Sequence, residues 1–216
     1  ELTKEEINRK LLHGLAVILP LSIFYGPDLT GQPKVFVSWV FVVMFLLFLF
    51  IEWMRLNVDS FHSLFCRYFG GMMREVENKQ LTGATYVVGG SSICSVIALH
   101  SHKSEAAVFL GLTLFILGDA VAALVGKAFG RIRVGQKTLE GCLGCFIFCV
   151  LLAWIVFPQL PDFLKAWGGP FSIVQILLVS AAVSLLELFP IRLGKVVLND
   201  NLYVPAVVSL AALILP

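Results

Sequence analysis

Residues 118–141 read Gly118-Asp119-Ala120-Val121-Ala122-Ala123-Leu124-Val125-Gly126-Lys127-Ala128-Phe129-Gly130-Arg131-Ile132-Arg133-Val134-Gly135-Gln136-Lys137-Thr138-Leu139-Glu140-Gly141. The stretch begins inside an apolar run and ends among bases and glycines. Asp119 lies within the run, eight residues before Lys127. At a helical rise of about 1.5 Å per residue, that places it roughly 12 Å below the basic end. An acid inside a hydrophobic segment is costly and marks a functional site by default.

The rest of the 216 residues give that run its setting. The chain is 58% hydrophobic and only 14% charged, well away from the composition of a soluble domain. It reads as an all-α, polytopic membrane protein in which residues 1–216 form one transmembrane domain. A span needs about 20 apolar residues. Seven candidates appear, at about 11–25, 35–51, 83–99, 106–125, 139–157, 171–189 and 202–215. Several are short, which predicts polar extensions or a broken helix. Tyr25-Gly26-Pro27-Asp28 and Gly168-Gly169-Pro170 read as turns between spans. The first run lacks a small-x-small cleavage site and is taken as a span rather than a removed leader.

Basic residues orient the chain. Thirteen of the sixteen Lys and Arg fall in the N-terminal segment and in the loops after spans two, four and six. Lys34, Lys103 and Lys165 are the remainder. By the positive-inside rule the N-terminus is cytoplasmic. This topology gathers His13, Glu52 with Arg55, Asp119, Glu187 and Asn199-Asp200-Asn201 on the inner side. The loop after span two carries Phe61, Leu64, Phe65, Phe69 and Met72 among Arg67 and Arg74, the pattern of an amphipathic helix lying in the interface. Cys142, Cys145 and Cys149 share one helical face and read as packing residues rather than a metal site.

These residues suggest a polyphosphate site at the cytoplasmic face. Asp119 suits a Mg²⁺ ligand or a base, with Asp200 as the second metal-binding acid, since Mg²⁺ takes one or two carboxylates plus substrate phosphates. The alternatives are a structurally paired acid at Asp119 and an N-cap role for Asn199-Asp200-Asn201. Lys127, Arg131, Lys137 and Thr138 supply charge and a hydroxyl, and Lys79 and Thr82 re-enter the membrane where a phosphate or base is within reach. Gly126, Gly130 and Gly141 allow close backbone approach, although glycines equally serve close helix packing. No P-loop pattern is present, and nothing points to nucleic acid as a partner.

Several motifs taken together resemble the CTP-dependent lipid kinase family, which includes dolichol kinases, phytol kinases and the CTP-dependent diacylglycerol kinase. They are Gly118-Asp119-Ala120-x-Ala122-Ala123-x-x-Gly126, Gly130-Arg131, Lys137-Thr138-x-Glu140-Gly141 and Asp200-Asn201-Leu202-x-x-Pro205. Glu6-x-x-Arg9-Lys10-x-x-His13 and Lys79-x-x-Thr82-Gly83-x-x-Tyr86 are also similar to that family. The resemblance implies CTP as phosphoryl donor, a divalent cation and a membrane-embedded lipid alcohol as acceptor. It implies catalytic roles for Asp119, Lys137 and Glu187, and nucleotide contacts from Glu140 and Asn201. It places the protein in a bacterial inner membrane or the endoplasmic reticulum. The family is distantly similar to phosphatidate cytidylyltransferases, so cytidylyl transfer is the alternative reaction. A small-anion transporter is a third reading, disfavoured because the outer halves of the spans are apolar.

Overall fold

Ala16 and Val17 interrupt the first apolar run, so α1 (Lys4–Leu15) ends and α2 (Ile18–Thr30) begins a turn later. The computed structural model describes residues 4–194 and 196–215, without the side chains of residues 4–8, 193 and 196. The Lys4 and Glu6 side chains and the whole of Lys195 therefore lie outside the described residues. The expected turn at Tyr25-Gly26-Pro27-Asp28 is absent. Helix α2 runs through Pro27 and stops at Gly31, whose φ of 67° is left-handed. In an apolar setting a broken turn would strand several backbone groups, whereas proline inside a helix removes only one donor.

The next helix, α3 (Lys34–Asn57), starts directly after Pro33. It presents Trp39, Val43, Leu46, Leu47 and Phe50 outward. The amphipathic segment forms α4 (Asp59–Phe69), which buries none of its residues. Two 3₁₀ turns follow, Gly70–Met72 and Glu75–Asn78, and then α5 (Gly83–Ile97).

Ser101 caps α6 (His102–Phe129) by accepting from Ser104 N–H. This 28-residue helix is the axis of the fold. Every residue from Ser104 to Ile116 is buried. At about 1.5 Å per residue it is about 42 Å long, more than the roughly 30 Å hydrocarbon core. A hairpin, β1 (Arg133–Val134) with β2 (Lys137–Thr138), turns at Gly135 with φ 61°. Thr138 then caps α7 (Leu139–Ile155) by accepting from Gly141 N–H.

A 3₁₀ turn, Phe157–Gln159, leads to the short α8 (Pro161–Trp167). Gly168 and Gly169, at φ 99° and 146°, make the turn expected there. Helix α9 (Ile173–Leu188) begins with a reciprocal Ser172–Gln175 cap. A second hairpin, β3 (Arg192–Leu193) with β4 (Val196–Val197), leads to α10 (Asp200–Ile214), capped by Asn199. The fold is thus nearly all-α, with two small hairpins and helix α8 added to the expected spans.

Among the described residues, four stretches are long and apolar enough to cross a membrane: Arg9–Thr30, Lys34–Asn57, His102–Phe129 and Leu139–Gln159. The chain is an integral membrane protein. Helices α5, α9 and α10 are apolar but only 15, 16 and 15 residues long. Long-range polar contacts give the directions. Lys34 at the start of α3 meets Glu105 at the start of α6, and Lys103 reaches the Leu213 and Leu215 carbonyls at the end of α10. The start of α10, the end of α9 and the β1–β2 hairpin meet at the opposite end.

Candidate active site

Asp119 lies on α6 about ten residues before the helix ends, facing α1. Lys10 Nζ stands 2.7 Å from its Oδ2, and His13 Nε2 stands 3.3 Å from the same oxygen. Lys10 and His13 lie one turn apart on α1, so one helix face presents both. The β1–β2 hairpin brings in Lys137. Its Nζ is 2.6 Å from Glu187 Oε1 and 2.6 Å from Asp200 Oδ2. Glu187 sits in the last turn of α9 and Asp200 in the first turn of α10. Carboxylate oxygens of Asp119, Glu187 and Asp200 all lie within 4.8 Å of one another.

The cluster is half-buried. Side-chain exposures are 14% for Asp119, 6% for Glu187, 20% for Asp200 and 25% for Lys137. Three carboxylates against two ammonium groups leave one net negative charge before His13 is counted. Burial by itself would pull the Lys137 pKa down. The charges of Asp200 and Glu187, and hydrogen bonds to both, outweigh it and hold the ammonium above the ordinary lysine value.

The donor set fits a hard divalent cation. Three carboxylates offer oxygen ligands of the kind Mg²⁺ prefers. Among the described residues, two buried polar atoms make no hydrogen bond: His13 Nε2, which has only its 3.3 Å approach to Asp119 Oδ2, and Oδ1 of Asn201, the residue after Asp200. Buried polar groups are normally paired, so such orphans mark a place where a ligand or water completes the shell.

The expected site residues divide into groups. Asp119, Lys137, Glu187 and Asp200 come together, with Asn201 next to them. Glu140 instead fastens the hairpin by accepting from Ile132 N–H at 3.1 and 3.3 Å. Thr82 gives both its N–H and its hydroxyl to Glu52 Oε1, at 2.9 and 2.5 Å. Glu52 and Arg55 therefore do not join the cluster as expected but close a network of their own. Lys79, Lys127 and Arg131 are exposed.

The glycines lie where helices touch. A Cβ on Gly126 would stand 2.6 Å from Thr138 Oγ1, and one on Gly141 would stand 2.6 Å from the Ala122 carbonyl. A Cβ on Gly130 would stand 2.1 Å from the Gly126 carbonyl. Close packing of α6, β2 and α7 thus requires them. Gly118 faces Cys145 and Cys149, whose sulfurs are free and 4.0 Å apart, in keeping with cysteines used for packing.

Lys10 is a site residue that the sequence did not single out, whereas His13 was expected on the inner side without a partner. The signal was there: a Lys and a His three apart at the start of the first span, on one helical face.

A profile described as the cytidylyltransferase family matches residues 2–189. The CTP-dependent diacylglycerol kinase 1 of Saccharomyces cerevisiae is 25% identical over 72% of this chain and 52% of its own. The dolichol kinase of the same yeast is 35% identical over 45% of this chain and 17% of its own. An uncharacterised Rickettsia prowazekii protein is 22% identical over 98% of this chain and 95% of its own. The matched region thus spans about half of the diacylglycerol kinase and less of the dolichol kinase. No solved structure matches the chain.

Proposed function

The chain belongs to the cytidylyltransferase family, and we propose that it transfers the γ-phosphoryl group of CTP to the hydroxyl of a membrane lipid alcohol. The acceptor is a polyprenol, a phytol-like alcohol or diacylglycerol, and the reaction takes place at the cytoplasmic face of one seven-span domain with its N-terminus inside. The observation that carries this reading is the meeting of Asp119, Glu187 and Asp200 within 4.8 Å, with Lys137 between two of them. The kinase names of two relatives support the reaction type.

Phosphoryl transfer depends mainly on positioning and charge stabilisation. Asp119 and Asp200, with Glu187 beside them, would hold Mg²⁺, which offsets triphosphate charge when bound. Lys137 and Lys10 carry ammonium groups at the same depth and would meet phosphate oxygens as well as carboxylates. Lys79, Lys127 and Arg131 contribute from the rim. The lipid oxygen attacks the γ-phosphorus and the bond to the bridging oxygen breaks. CDP leaves, and the hydroxyl proton passes to Asp119 or Glu187. The tail stays in the bilayer, so the lipid enters from the side.

The family's own description favours a second reading, cytidylyl transfer to phosphatidate. Labelled CTP separates the two. Purified protein is given CTP labelled at the α- or the γ-phosphate, with lipid alcohols and phosphatidate as acceptors. Label from the γ-position in the lipid supports the kinase. Label from the α-position in the lipid, with γ-label in pyrophosphate, moves the assignment to the transferase. No labelled lipid from either position refutes both.

A further inference from the structure

Glu52 and Arg55 are among the most deeply buried charged residues described, at 2% and 1% exposure. They lie three apart on the last turns of α3. Arg55 Nε and Nη2 bind Glu52 Oε2 at 2.7 and 2.5 Å. The other guanidinium bonds go to backbone: Nη1 to the Glu77 carbonyl at 2.9 Å and Nη2 to the Gln80 carbonyl at 2.6 Å. Glu52 Oε1 accepts three bonds, from Thr82 N–H, Thr82 Oγ1 and Thr85 Oγ1. Phe65 of α4 lies 5.7 Å from the guanidinium carbon. Glu77 completes the net by accepting from Arg74 N–H and Gly83 N–H.

A buried ion pair is weak evidence for stability, because apolar residues of similar volume often do as well. What the pair holds is therefore informative. It holds residues 77–85, of which 79–82 belong to no helix or strand. The two carbonyls bound by Arg55 flank Lys79, which is exposed. The segment leads into α5, which packs against the start of α10, where a Cβ on Gly90 would stand 2.3 Å from the Asn201 carbonyl. The 3₁₀ turn before it, Gly70–Met72, packs against α1, the helix that carries Lys10 and His13.

We propose that Glu52 and Arg55 are positioning residues for nucleotide binding: they fix the backbone of 77–82 so that Lys79 meets the triphosphate at the rim of the acidic cluster. This rests on the CTP reading above and adds to it a device in α3 that touches no substrate. Only a planar fork spans both carbonyls and the carboxylate at once, so lysine is a poor substitute for Arg55.

The test uses the whole chain in lipid nanodiscs. Amide hydrogen exchange over 77–85 is measured with and without CTP and Mg²⁺, alongside CTP binding and steady-state kinetics. In the unmodified chain CTP slows exchange at 79–82. Arg55→Lys abolishes that slowing and raises the KM for CTP roughly tenfold, the size expected for losing a charge-assisted bond, while kcat changes far less. Lys79→Ala adds little in the Arg55→Lys background, since both act on one contact. Should Arg55→Lys fail to fold, Thr85→Val takes its place. It removes one of three donors to Glu52 and raises the KM for CTP by a smaller factor, and an unchanged KM overturns the proposal. Binding of CTP with no change in exchange over 77–85 overturns it too, as do Arg55 and Lys79 effects that multiply. Failure of the unmodified chain to bind CTP overturns the nucleotide reading itself, so the two failures are distinguishable.

Discussion

Lys10 Nζ stands 2.7 Å from Asp119 Oδ2 across 109 positions of sequence. The contact joins the first helix to the central one, and it places a cation from α1 beside the acid that α6 carries within its apolar length. Removing one partner of such a pair leaves a half-buried charge without compensation. Lys10→Ala is expected to lower stability by about 2–4 kcal/mol, and Lys10→Arg to keep most of it. Thermal unfolding of both variants in one detergent checks the difference.

Lys137 separates Glu187 from Asp200. Lys137→Met puts two carboxylates together with nothing between them, at a cost of about 3 kcal/mol. Adding Glu187→Gln removes the repulsion and restores part of that stability. Turnover of CTP is not restored, because neither the ammonium nor the Glu187 charge returns. Unfolding curves and product assays on the single and double variants test the two halves of this expectation separately.

Gly118 packs against sulfur. An added Cβ would stand 2.9 Å from Cys145 Sγ and 3.0 Å from Cys149 Sγ. Gly118→Ala is expected to destabilise by about 1–3 kcal/mol, as overpacking does. Cys145→Ala in the same chain opens the space and recovers part of the loss. Additive effects in the double variant would show that the two side chains do not compete for that volume.

At the far end of α6, Lys34 Nζ pairs with Glu105 Oε2 at 2.5 Å, and Glu105 is 6% exposed. Lys34→Met is expected to cost about 1–2 kcal/mol, moderated because Lys34 is itself about a third exposed. The KM for CTP and kcat stay at the unmodified values, since this pair lies at the opposite end of the helix from Asp119. A change in either would show that the two ends of α6 are coupled.

The three-carboxylate cluster predicts dependence on a divalent cation. Treatment with EDTA is expected to abolish CTP turnover, and Mg²⁺ to restore it. Asp200→Asn raises the Mg²⁺ concentration for half-maximal rate by about tenfold or more, the equivalent of one lost ligand contact of roughly 1.4 kcal/mol. Titrating Mg²⁺ against rate in both proteins gives the comparison.

Much of this was legible along the chain. Asp119 announced itself as an acid in an apolar run, and Asp200 as an acid at the mouth of the last span. Asn199 signalled a helix start, and Gly168-Gly169 a turn. The boundaries of α5, α7, α9 and α10 fall within a few residues of the hydrophobic runs. The Gly26-Pro27 turn was misread because proline breaks helices in water, where freed backbone groups find solvent, and does so less in an apolar setting. The bonds of Thr82 to Glu52 and of Glu140 to the Ile132 N–H were not legible, because those partners come from other turns of chain.

The amino-acid sequence by itself determined that the protein lives in a bilayer, where its apolar segments run, where its helices are capped and which loops are basic. Those properties depend on the partition of each segment into lipid and on residues a few positions apart. Tertiary structure alone decided that Lys10 meets Asp119, that Lys137 enters between Glu187 and Asp200, and that Arg55 holds the Lys79 segment. Membrane helices are apolar on both the lipid side and the protein side, so their periodicity does not reveal which face meets which neighbour. Only close packing, set here by glycines at Gly118, Gly126 and Gly141, chooses among those faces and so places the charges.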